Sequence, residues 1–77
     1  MAREGKGRVT ILHKNIPNML SQFSSLMAEK NLNILNMMNK NKGENAYTIM
    51  DIDGVVDAEI ENAINMIEGV LGVRIFN

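Results

Sequence analysis

The chain contains no cysteine, which removes disulfide staples and cysteine-based zinc sites together. Its single histidine, His13, has no carboxylates clustered near it in sequence, so a metal site lacks a donor set. Nucleophilic catalysis finds nothing to build on either. There is no thiol, and Ser21, Ser24 and Ser25 fall on the expected polar side of a helix, well along it from the histidine. The glycines are scattered and form no phosphate loop. Aromatic residues are scarce at 4%, and formal net charge is −1. RNA readers built on a small sheet need exposed aromatics and a basic surface. Here the strands offer only Tyr47 and Phe76, with no long-range attraction for nucleic acid. No apolar run approaches the roughly 20 residues of a membrane span. The first ten residues are polar, unlike a signal peptide. These absences predict a cytoplasmic protein with no membrane or nucleic-acid partner, no cofactor and no catalysis of its own.

A chain of 77 residues allows one domain, and one this small buries little of its surface. Without a staple, its stability must come from good packing or from a second copy. At 45% hydrophobic the composition is ordinary for a folded domain.

Residues 1–6 read as a flexible lead-in and residues 7–77 as the domain, with Arg3, Lys6, Arg8 and Lys14 as solvated charges. Residues 8–13 are β-branched and apolar, a strand. Pro17 then suits a first helical position. Met19, Leu20, Phe23, Leu26 and Met27 recur on one face of a helix that Lys30 and Asn31 end. Residues 32–39 form a second strand, residues 40–45 a polar turn with a glycine, and residues 46–53 a third strand. In the third strand Thr48, Met50 and Ile52 alternate toward the core while Asp51 and Asp53 face water. Asp57 is an N-cap. Ile60, Ala63, Ile64 and Ile67 make a second helical stripe that Gly69 stops, and residues 70–76 are a last strand. Two helices with one apolar face each belong on one side of a sheet. The predicted fold is therefore α+β, a ferredoxin-like βαββαβ sandwich: a four-stranded antiparallel sheet with both helices on one face. Its expected core includes Leu20, Phe23, Met27, Ile34, Ile60, Ile64, Ile67 and Val73.

Chemistry gathers at the junction of the first strand and first helix. His13, Asn15 and Asn18 bring an imidazole and two carboxamides to a helix N-terminus, which favours anions. That set suits a small zwitterion; the plainer reading is that Asn15 caps the helix and His13 sits at a strand end.

At these residues the sequence resembles an ACT domain, a regulatory amino-acid-binding module of this fold. More narrowly, it is similar to the C-terminal domains of the D-3-phosphoglycerate dehydrogenase family. The resemblance runs from about residue 7 to the end. His13, Asn15 and Pro17, followed by Asn31, Asn33 and Ile34, are its most specific part. It implies a fragment of an NAD-dependent oxidoreductase of serine biosynthesis, with two copies paired as a homodimer and L-serine held between them. His13 and Asn15 would come from one chain and Asn33 from the other. Asn18 and Met19 would offer backbone N–H groups to the carboxylate. Asn18 stands where such domains usually carry glycine. The alternative is an assembly module that pairs enzyme subunits and binds no ligand.

Overall fold

The computed structural model describes residues 7–76; the expected lead-in over residues 1–6 lies outside them. The order is β1 (Gly7–Lys14), α1 (Met19–Glu29), β2 (Asn33–Lys42), β3 (Asn45–Asp53), α2 (Ala58–Asn65) and β4 (Val70–Phe76). The strands form one sheet in the order β2-β3-β1-β4, and each neighbouring pair is antiparallel. Met19, Phe23 and Met27 of α1 and Ile60 and Ile64 of α2 share one buried cluster with Val9, Ile11, Met50 and Ile52. Both helices therefore cover the same side of the sheet, as the two stripes predict.

Four expected core residues, Phe23, Met27, Ile60 and Ile64, are buried, while Ile34, Ile67 and Val73 pack half-buried at the margin. Leu20 is a correction: it is 37% exposed, and Met19 takes the inward place. Adjacent helical residues point about 100° apart, and the inward row here is Met19, Phe23 and Met27, which leaves Leu20 at its edge.

The helix ends also differ from expectation. Pro17 precedes the helix, which starts at Met19, because Asn18 is left-handed (φ 72°) and breaks the helical run. Past the other end of α1, Asn31 is left-handed too (φ 58°). Asn31 N–H donates to Ala28 O (3.1 Å) and Leu32 N–H to Met27 O (2.9 Å), a complete Schellman closure. Asp57 caps α2 as predicted, accepting from Ile60 N–H at 3.0 Å. That helix stops at Asn65, short of Gly69, which serves the turn into β4 instead. Gly69 has φ 99°, and a Cβ there would lie 3.0 Å from Ile16 Cδ1.

The hairpin between β2 and β3 is tighter than residues 40–45. Pairing continues to Lys42 opposite Asn45, leaving Gly43 and Glu44 at the tip. Asp51 corrects a second expectation, since it is fully buried. Its cross-strand partner is Arg8, which is no solvated lead-in charge. Arg8 Nε donates to Oδ1 at 2.8 Å and Nη2 to Oδ2 at 3.3 Å. The hydrogen bond to Asp51 raises the Arg8 pKa above the usual arginine value. Alternation gives the face a residue occupies; it does not say whether that face is wet.

Candidate functional site

The junction after β1 is tied on both sides. Lys14 N–H donates to Gly69 O and Asn15 N–H to Glu44 O, each at 2.8 Å. The segment between β1 and α1 is thus attached to the turn before β4 and to the hairpin tip. It ends at Asn18, whose side chain makes no capping bond to the helix. The first N–H groups of a helix have no intrahelical partner, and no acidic residue occupies this first turn. Neither a capping side chain nor a first-turn carboxylate meets the positive end of α1.

His13 lies beneath this segment, 2% exposed. Its ring meets Phe23 edge-on, with centroids 5.2 Å apart. Nδ1 is 2.9 Å from Lys14 O and Nε2 is 2.8 Å from Thr48 Oγ1. A carbonyl only accepts, so the bonding assigns the proton of the neutral ring to Nδ1. Nε2 then accepts from the Thr48 hydroxyl. Thr48 Oγ1 in turn accepts from Asn39 Nδ2 at 3.0 Å, and the same nitrogen approaches Tyr47 O at 3.5 Å. The result is a one-way chain of donors from Asn39 through Thr48 and His13 to the Lys14 carbonyl. Both ring nitrogens are engaged within the described residues.

A hollow of about 350 Å³ opens here, lined by His13, Asn15, Ile16, Asn18, Met19, Leu20, Ser21, Asn39 and Asn41. That is the small end of the roughly 300–1,000 Å³ typical of ligand pockets. Four of the residues singled out from sequence (His13, Asn15, Asn18 and Met19) thus share one concavity. Asn15 is exposed, and its Nδ2 donates to Gly43 O at 3.4 Å. Asn33 lies elsewhere. It begins β2 and lines a separate depression with Ser24, Ala28 and Asn31. At ~3.3 Å per strand residue it sits roughly 26 Å along β2 from Asn41. No group of three or more possible metal-binding side chains occurs among the described residues, and no helix there is long and apolar enough to cross a membrane.

Sequence reading missed Thr48, Asn39 and Asn41. Thr48 was placed on the core-facing side, and a hydroxyl there needs a partner; that was the available signal. Finding the partner requires register. Asn39 is opposite Thr48, and His13 is diagonal to it across β1 and β3.

No family model and no curated protein sequence matches the chain. Solved structures do. The chain is similar to the ACT domain from GTP pyrophosphokinase of Chlorobium tepidum, at 15% identity and TM-score 0.72, covering 91% of this chain and 95% of that one. It is similar to an ACT domain protein from Streptococcus pneumoniae, at 17% identity and TM-score 0.74, covering 91% and 85%. The ligand-free regulatory subunit of aspartate kinase from Thermus thermophilus matches at 8% identity and TM-score 0.73, covering 92% of this chain and 50% of that one. The chain has the ACT-domain fold.

Proposed function

We propose that this chain is a regulatory domain that binds a small amino acid, L-serine, between two copies of itself. The carrying observation is the hollow at the start of α1, where an uncapped helix N-terminus and the carboxamides of Asn15 and Asn18 converge. The ligand carboxylate takes the N–H groups around Asn18 and Met19, where the helix field favours an anion. Asn15 hydrogen-bonds the main part of the amino acid. β2 is an edge strand, and an edge with free backbone groups invites pairing. Two copies joined antiparallel about the middle of β2 bring Asn33 of one chain toward Asn39 and Asn41 of the other. That closure accounts for the distance between Asn33 and the hollow within one chain. The resemblance to phosphoglycerate dehydrogenase regulatory domains supports serine and feedback control in serine biosynthesis. It also supports His13 as a site residue, which this geometry uses as a support beneath the hollow.

Calorimetry with L-serine on the paired species tests the reading. Asn15→Ala and Asn33→Ala each weaken binding about tenfold or more, the loss of one hydrogen bond to a charged group. Asn62→Ala, on α2, leaves it unchanged. Heat absent with millimolar serine, for both the parent and Asn18→Gly, excludes the sensor.

One observation favours the second reading, a pairing module without a ligand. Asn18 places a side chain in the hollow where a glycine would leave space. Persistent dimers in sedimentation equilibrium, together with no serine binding, establish that role.

A further inference from the structure

We propose that Asn39 is a specificity-determining residue of this hollow: its carboxamide oxygen receives the ammonium group of the bound amino acid. Thr48 and His13 act behind it as positioning residues. The inference rests on the amino-acid reading above and adds the group that selects for the amine.

The argument starts from donors and acceptors. The Lys14 and Tyr47 carbonyls accept only, and they lie at the two ends of the chain of bonds. The Lys14 carbonyl fixes a proton on His13 Nδ1, and in the neutral ring Nε2 then accepts from Thr48. With its proton spent on His13, Thr48 Oγ1 receives from Asn39 Nδ2. The nitrogen of Asn39 is therefore turned inward, toward Thr48 and the Tyr47 carbonyl. No bond within the described residues engages Oδ1, and Asn39 is an exposed residue lining the hollow. Oδ1 can only accept. His13 has no ring nitrogen left to read a ligand. From this wall the hollow therefore presents an acceptor, suited to an ammonium and unsuited to a carboxylate. The helix N-terminus on the other wall presents donors. The two walls together match the two ends of a zwitterion and fix which way round it lies.

The experiment compares L-serine with 3-hydroxypropanoate, which keeps the carboxylate and hydroxyl and lacks the amine. The parent dimer prefers serine by about tenfold or more, the value of a hydrogen bond to a charged group. Asn39→Leu brings the two ligands to within a few fold of each other. Thr48→Val, which frees the amide to rotate, gives an intermediate ratio. A purely structural role for Asn39 weakens both ligands equally and leaves the ratio unchanged, which overturns the proposal while the amino-acid reading stands. Failure of the parent to bind serine overturns both. A check without variants is the ring-nitrogen NMR spectrum of His13: a proton on Nδ1 supports the chain of bonds, and a neutral ring protonated on Nε2 breaks it and the proposal with it.

Discussion

The two strand-to-helix junctions solve one problem in opposite ways. After β3, Asp57 accepts from Ile60 N–H, and Glu59 and Glu61 add negative charge to the first turn. One donor and the dipole of α2 are thus met from within the chain. After β1, Asn18 is left-handed, its side chain caps nothing, and the first turn of α1 holds no acidic residue. Its first-turn residues Met19, Leu20 and Ser21 line a hollow instead. The comparison separates a junction built for stability from one with unused binding capacity. It also locates the candidate site by what the chain fails to satisfy, where a catalytic motif would be the usual guide.

Four substitutions break or sharpen this contrast. The largest effect is on the support beneath the open junction. Phe23 is fully buried and packs edge-on against His13. Phe23→Ala costs about 3–5 kcal/mol by the usual range for such truncations, a large share of a small domain's stability. Urea unfolding shows the loss directly. Asp57→Ala comes next. It costs about 1 kcal/mol, as a lost N-cap does, and on the proposed reading leaves serine binding untouched. Asn18→Ala, at the other junction, also costs about 1 kcal/mol, from the left-handed backbone alone. Thermal melts with and without serine distinguish the two, because only the second changes the ligand-induced shift.

The smallest effect concerns the ion pair that joins the end of α1 to the start of α2. Lys30 Nζ lies 2.7 Å from Glu59 Oε1, and the hydrogen bond to Glu59 raises the Lys30 pKa. A raised folded-state pKa gives stability that is present below the unfolded lysine value and lost as pH rises through the folded one. Both groups reach solvent, so Lys30→Met produces the least change in Tm of the four. That change disappears at alkaline pH above the raised lysine range, and it shrinks in high salt.

Much of the fold was legible because its signals are local. Helical stripes, strand alternation, the Asp57 cap and the breaks at Asn31 and Gly43 all lie within short windows of sequence. Arg8 and Asp51 were misread because they meet across 43 positions, and only strand register puts them together. Leu20 was misplaced because it flanks the inward row of Met19, Phe23 and Met27, and a stripe of apolar residues does not say which flank the sheet covers. The loop residues of the candidate site were legible as a run of amides beside a histidine. Asn39 was not, since a polar residue on an edge strand looks like any solvated one until Thr48 is found opposite it.

The paired attachments of the junction have a mechanical consequence. Lys14 is held by Gly69 and Asn15 by Glu44, so neighbouring residues are anchored to opposite corners of the sheet. Any pull on this segment divides between two load paths. One runs to the β2–β3 tip and along the long edge of the sheet. The other runs through the turn before β4 to the far edge. A displacement of this segment is thus shared between the β2 and β4 sides of the sheet.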